Sequence, residues 1–201
     1  LPSGIGLEAA GIIEKIGKVS YVTEKNISQE IGIRIDDFNS ALGDSICING
    51  VCLTVEDIDD NVYSFSISPE TYNLSNFKNI KKNDDVNIEK SLTVNKLLSG
   101  HIVQGHVDTC SEITELKKID NSWYVKIKID STYMKYIIQK GSITIDGVSL
   151  TINEVYTDEF SVMVIPHTYS NTIFKNYKIG SILNTEIDIL AKYIEKLGNK
   201  E

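Results

Sequence analysis

The feature that most constrains this chain is an internal repeat. Gly43-Asp-Ser-Ile-Cys-Ile-Asn-Gly-Val-Cys-Leu-Thr-Val55 resembles Lys140-Gly-Ser-Ile-Thr-Ile-Asp-Gly-Val-Ser-Leu-Thr-Ile152, an offset of 97 positions from Gly50 to Gly147. The same offset pairs Pro69-Glu-Thr-Tyr72 with Pro166-His-Thr-Tyr169, and Phe77-Lys-Asn79 with Phe174-Lys-Asn176. It also pairs Asn87 and Glu89 with Asn184 and Glu186. One offset across that span, without a gap, means two copies of one folding unit. The copies run over residues 11–97 and 108–187, with the join near 95–105. Counting the connection with the second copy gives units of 11–97 and 98–187 and a tail of 188–201.

Each copy reads as β. In Trp123-Tyr-Val-Lys-Ile-Lys-Ile-Asp130, positions 123, 125, 127 and 129 are apolar and Lys126, Lys128 and Asp130 are not. Tyr63, Phe65 and Ile67 alternate in the same way with Ser64 and Ser66. Strict alternation marks half-buried strands. Asn49-Gly50 and Asp146-Gly147 are among the dipeptides that turn the chain between them. Only the C-terminal stretch reads as a clear helix. Ile187, Leu190, Ala191, Ile194 and Leu197 share one stripe, with Asp188 at the start and Gly198 just past the end. That helix is expected to self-associate in coiled-coil fashion; packing back on its own barrel is the alternative.

A formal charge of −8 makes the chain a poor partner for nucleic-acid backbone. Lys81-Lys82 and Lys117-Lys118 are isolated pairs of solvated lysines. No run of about 18 apolar residues is present, so no membrane span is expected. Residues 1–10 lack the charged start and apolar segment of a secretory leader. Three cysteines (Cys47, Cys52, Cys110) without a Cys-x-x-Cys do not read as a disulfide framework, and three scattered histidines do not suggest structural zinc. The set suits a reducing cytoplasm.

A small barrel fills its interior with side chains, so ligands sit at its mouth or between barrels. Two copies imply two similar sites. Each carries Gly-Val-x-Leu-Thr (Gly50 to Thr54, Gly147 to Thr151) and a Pro-x-Thr-Tyr block. Hydroxyls and backbone amides beside small residues suit a flat, polar heterocycle with a polyol chain. Turn chemistry explains the glycines but not the recurring Leu-Thr and Pro-x-Thr. Between the copies lies Gly100-His-Ile-Val-Gln-Gly-His106, whose His101 and His106 are spaced for a pocket-lining loop. Matched positions differ at Cys52 against Ser149, Glu70 against His167 and Asn49 against Asp146, which would let similar sites do different work. Cys52 taken alone reads as a small buried hydrophobe.

Together these blocks resemble the riboflavin synthase family, over nearly everything from Gly11 onward. The most specific combination is Gly-His-x-Val-x-Gly-His-Val-Asp (100–108) set between two Asn/Asp-Gly-Val-x-Leu-Thr blocks. The resemblance implies an all-β protein of two tandem six-stranded Greek-key barrels with a C-terminal helix. It implies a homotrimer, held partly by those helices, whose active site forms between the N-barrel of one subunit and the C-barrel of a neighbour. Two molecules of 6,7-dimethyl-8-ribityllumazine would exchange a four-carbon unit, giving riboflavin and 5-amino-6-(D-ribitylamino)uracil, with no metal and no redox cofactor. Association with lumazine synthase belongs to the same set of expectations.

Carried over by residue, the N-barrel pocket is Gly11, Ile12 and Ile13; Cys52, Leu53 and Thr54; Phe65, Ser66, Ile67, Ser68, Pro69, Glu70 and Thr71; and Gly105, His106 and Val107. The C-barrel pocket is Lys140, Ser149, Leu150 and Thr151, with Ile165, Pro166, His167, Thr168, Tyr169 and Ser170. His101, Ser149, Asp188, Cys52 and Ser45 are the candidates for chemistry. The start departs from the family. Residues 1–8 read as an extension, and Ala9-Ala10 stand where Phe-Thr, with a ligand-bordering aromatic, is expected. Non-catalytic relatives that hold a lumazine or flavin as a light antenna compete with the enzyme reading, but should tolerate decay of one pocket and of the histidine segment; both are intact here. A plain structural barrel would leave the paired motifs unexplained.

Overall fold

The computed structural model describes residues 9–25, 28–93 and 98–198; the extension of 1–8 and part of the join fall outside them. The chain forms two barrel-like units, the second closed and the first a seven-stranded sheet whose two edge strands are not hydrogen-bonded to each other. The first uses β1 (Lys15–Lys25), β2 (Ser28–Arg34), β3 (Ser45–Ile48), β4 (Val51–Thr54), β5 (Asp57–Asp59), β6 (Val62–Ile67) and β7 (Asp85–Lys90), with α1 (Pro69–Leu74) after β6. The second uses β8 (Thr109–Ile119), β9 (Ser122–Lys128), β10 (Ser142–Ile145), β11 (Val148–Val155), β12 (Glu159–Val164) and β13 (Ile182–Ile187), with α2 (Pro166–Asn171) after β12 and α3 (Ile189–Gly198) at the end.

The C-terminal barrel closes in the order β10-β11-β12-β9-β8-β13, six antiparallel strands in a Greek-key path. The N-terminal unit has seven, in the order β4-β3-β7-β1-β2-β6-β5. The extra strand is a break rather than an insertion. β11 carries a bulge between Ile152 and Glu154. At the matching place, Val55-Glu56, the first copy's strand splits into β4 and β5. Bulges bend a strand so that one strand can serve two neighbours round a corner; here the bend is sharp enough to interrupt the ladder.

The repeat also reaches the first two strands of each copy, at an offset of 94. Lys15 pairs with Ile88 where Thr109 pairs with Thr185. The bulge at Val19/Tyr21 reappears at Ile113/Glu115. The connection from β9 to β10 is three residues longer than that from β2 to β3 and contains a 3-10 turn, Ser131–Tyr136.

Alternation places the cores as expected. Tyr63, Phe65 and Ile67 enter one hydrophobic cluster, and Val125, Ile127 and Ile129 the other. Burying each such side chain contributes about 1.5–3 kcal/mol. Trp123 remains half-buried, stacked on Tyr169 with ring centroids 3.6 Å apart. Two short helices escape the sequence reading, though the signal is present. Pro69 and Pro166 occupy the first turns of α1 and α2, and the Ser68 hydroxyl caps α1.

The barrels meet through their hairpin turns about a local two-fold. Asn49-Gly50 and Asp146-Gly147 all have positive φ, as the tightest hairpins require. A Cβ on Gly50 would lie 2.6 Å from the Gly147 amide nitrogen. Asn87 Nδ2 donates to the Asp146 carbonyl, and Asn184 Nδ2 donates to the Asn49 carbonyl, each at 2.9 Å. Asn49 Oδ1 accepts from the Asn87 amide as Asp146 Oδ1 accepts from that of Asn184.

The symmetry fails at one atom. Asn49 is neutral, whereas Asp146 is a carboxyl with 1% exposure, and burial pushes its pKa up to about 7 despite hydrogen bonds from Tyr177, Asn184 and Asn76. The folded pKa exceeds the unfolded one, so the native state holds the proton more tightly. Stability from this group is full below pH about 4 and is lost as pH rises toward 7. Asp146→Asn, which copies the first barrel, is expected to abolish that slope and gain about 1–2 kcal/mol over the parent at pH 8. Urea unfolding of both proteins at pH 5 and pH 8 checks this; a parent less stable at pH 5 than at pH 8 relative to the variant contradicts it.

Candidate active site

The segments that lead into the two barrels are exchanged across the two-fold. Residues 11–13 precede β1, yet Gly11 and Ile13 lie on the second barrel. The Ser149 amide donates to the Gly11 carbonyl at 2.9 Å, and Ile13 packs on the second core. Residues 103–107 precede β8, yet the Cys52 amide donates to the Gly105 carbonyl at 2.9 Å and Val107 packs on the first core. Where the segments cross, Ala9 and Val103 form a two-way backbone bridge. Buried carboxylates hold both. Glu89 accepts from the amides of Ala10 (2.9 Å) and Gly11 (3.1 Å), and Glu186 from those of Gln104 (2.7 Å) and His106 (3.0 Å). Burial raises the Glu186 pKa to about 7 against those two amide bonds. The matched Glu89 and Glu186 of the sequence are therefore clamps.

This exchange corrects one grouping. Gly11 and Ile13 do not sit with Cys52 but beside Ser149 and the second core, since the chain crosses before entering its barrel. Ile12 is exposed on the same segment.

The first barrel opens a cavity of about 440 Å³ lined by Val51, Cys52, Glu70, Thr71, Leu74, Ser75, Gly105, His106 and Val107. Six of these were expected. Val51, Leu74 and Ser75 were missed, although Leu74 and Ser75 follow directly from the short helix. Leu53, Phe65 and Ile67 belong to the barrel core instead, and Leu150 to the other. Ser68 caps α1, Pro69 opens it, and the Ser66 hydroxyl donates to Glu56. Ser45 faces Thr54 across the β3–β4 ladder.

At the second barrel the structure brings His101 and Ser149 into contact, with the Asp188 charge near enough to act on the ring. His101 Nδ1 is 2.7 Å from Ser149 Oγ and Nε2 is 3.1 Å from Thr144 Oγ1. Burial lowers the His101 pKa and the nearby Asp188 charge opposes it. The ring is therefore neutral at pH 7, with one donor and one acceptor nitrogen. In the tautomer protonated at Nε2, Thr144 accepts from Nε2 and Nδ1 accepts the Ser149 proton, the arrangement of a hydroxyl paired with a general base. Gly100 must be glycine here, because a Cβ would lie 2.0 Å from the Ala10 carbonyl oxygen. Thr144 was missed in the sequence, where a threonine in mid-strand is an ordinary strand former.

The remaining expected residues lie elsewhere on the second barrel. Lys140 is an exposed residue with φ +67 whose counterpart is Gly43. Ile165 precedes α2, and Pro166, His167, Thr168, Tyr169 and Ser170 lie on it. Thr151 is exposed opposite Ser142. Among the described residues, no group of three or more His, Cys, Asp or Glu side chains is placed to hold a metal ion.

Two units built from one repeated sequence and clamped together define a tandem β-barrel protein, and the Lumazine binding domain family matches it once per barrel, at residues 10–91 and 104–188. Riboflavin synthase of Photobacterium phosphoreum is 40% identical over 190 residues, covering 93% of this chain and 87% of the relative. That of Bacillus subtilis (strain 168) is 38% identical over 194 residues, covering 94% and 89%. That of Schizosaccharomyces pombe (strain 972 / ATCC 24843) is 39% identical over 197 residues, covering 93% and 92%. The chain belongs to the riboflavin synthase family of enzymes. The same fold occurs in LumP solved with riboflavin, at a TM-score of 0.81 and 23% identity, covering 88% of this chain and 97% of that one.

Proposed function

We propose that this chain converts two molecules of 6,7-dimethyl-8-ribityllumazine into riboflavin and 5-amino-6-(D-ribitylamino)uracil by moving a four-carbon unit. Each barrel binds one lumazine, and the reacting pair meets between the first barrel of one subunit and the second barrel of a neighbour in a homotrimer. The observation that carries this reading is the asymmetry of two otherwise matched sites. Cys47 and Cys52 in the first barrel stand where Thr144 and Ser149 stand in the second, and only the described second site holds a histidine between its hydroxyls. Donor and acceptor lumazines need different groups around similar rings, because one loses a proton from its C7 methyl while the other takes a nucleophile at C7. Among the described residues no helix is long and apolar enough to cross a membrane.

Ala9 and Ala10, where Phe-Thr is expected, are buried beneath the crossing segment, with Ala9 against Cys47 and Val103. Fluorescence titration with the lumazine is expected to approach two ligands per chain, with riboflavin absorbance appearing in the same mixture. Saturation at one ligand without riboflavin would replace the enzyme by a non-catalytic antenna.

A further inference from the structure

The first barrel's pocket wall contains a thiol pair. Cys47 and Cys52 are direct partners across the β3–β4 hairpin, one step beyond the Ile48–Val51 pair that flanks the two-residue turn. The Cys52 amide donates out of the hairpin to Gly105, so the two occupy a non-hydrogen-bonded position. Such positions bring Cα atoms to about 4.5 Å, within the range a disulfide spans. The two thiols are already hydrogen-bonded to each other. That bond, and then burial, hold the Cys47 thiol well above its ordinary range. Cys47 is 2% exposed and packs with Ala9 and Val103, whereas Cys52 is half-buried and lines the cavity. The third cysteine, Cys110, lies elsewhere, on β8, with its thiol 3.4 Å from the Leu74 carbonyl.

We propose that Cys47 and Cys52 are a redox modification site, forming a reversible cross-strand disulfide that withdraws the Cys52 sulfur from the pocket wall. The oxidant is a small disulfide such as oxidised glutathione. The Cys52 thiolate attacks one of its sulfurs and expels one glutathione thiol. Cys47 then gives up its proton and attacks Cys52 Sγ, expelling the second. Two protein thiols are oxidised and one glutathione disulfide is reduced to two thiols. The bond pulls the sulfurs to about 2.05 Å, closer than any non-bonded contact. It therefore reshapes the wall against which Gly105, His106 and Val107 are laid. The effect on ligand rests on the reading of this cavity as a lumazine site; the disulfide itself does not.

The test is made on the full reduced chain treated with oxidised glutathione, then denatured and alkylated. Alkylated thiols should fall from three to one, with Cys110 still reactive and the peptide holding both other cysteines lighter by two hydrogens. Dithiothreitol should restore all three. Lumazine at about ten times its dissociation constant should slow the reaction about tenfold, because the attacking thiol is covered. Cys47→Ser and Cys47→Ala should each stop at a glutathione adduct on Cys52. Three reactive thiols after treatment, or a stable glutathione adduct on Cys52 in the parent chain, would overturn the proposal. If the reduced chain binds no lumazine, the functional reading falls while the thiol count still decides the disulfide.

Discussion

Deletion of residues 189–201 is expected to convert the proposed trimer to monomers and to lower riboflavin formation by at least about 100-fold, equivalent to roughly 2.7 kcal/mol of barrier. The helix contributes no buried residue. One side ties it to its own barrel: Ala191 packs on the core, Lys192 pairs with Asp108 at 2.7 Å, and Glu195 bonds Lys135 and Tyr136. The other side leaves Leu190 54%, Tyr193 60%, Ile194 71% and Leu197 65% exposed. That is the i, i+3, i+4, i+7 spacing of a helix–helix seam. An apolar stripe of this kind on a small protein marks an interaction surface. Because little core is lost, the truncated chain should keep its circular dichroism and still bind lumazine while losing turnover. Leu190→Glu with Ile194→Glu should do the same without shortening the chain. Sedimentation and initial rates are the measurements; a truncated protein that stays oligomeric and active would place the contact elsewhere.

What the sequence revealed, and what it did not, follows from the range of each interaction. The repeat, the alternating faces and the final helix are written in near neighbours, and they were legible. Ile187 was counted in the helical stripe, but it ends β13 and enters the barrel core, and Gly198 closes α3 rather than following it. Ala191 shares the stripe but faces the barrel, so the exposed seam substitutes Tyr193. Packing on the barrel uses one side of the helix and leaves an apolar side exposed.

The exchange of residues 11–13 and 103–107 was not legible, because crossing between barrels is a choice of destination that local pattern does not encode. The resemblance named Gly11 and Gly105 together, yet they serve opposite barrels. The Cys47–Cys52 pairing was equally hidden in a count of three cysteines. It emerges only once Asn49-Gly50 fixes a two-residue turn and hence the register.

His101→Ala and Ser149→Ala are each expected to lower turnover by about 10- to 100-fold while changing lumazine affinity much less. Most pocket contacts remain in both variants, so the loss should appear in kcat rather than KM. The double variant should be little worse than either single one, because the hydroxyl and its base act as a unit across 2.7 Å. Thr144→Val keeps the side-chain volume but leaves Nε2 without its hydroxyl partner in a buried site, so it should cost several-fold in kcat and loosen the ring's orientation. The pH profile separates chemistry from packing. Burial lowers the His101 pKa, so the neutral base persists below pH 6.5 and activity should fall only as the ring finally takes up a proton. Asp188 opposes that shift through its charge. Asp188→Asn removes the charge but retains a side chain able to cap the helix through the Leu190 amide. Its acid limb should therefore move to still lower pH with the assembly intact. Near-normal turnover in both His101→Ala and Ser149→Ala would sink the assignment and leave the positioning of two lumazines as the source of rate.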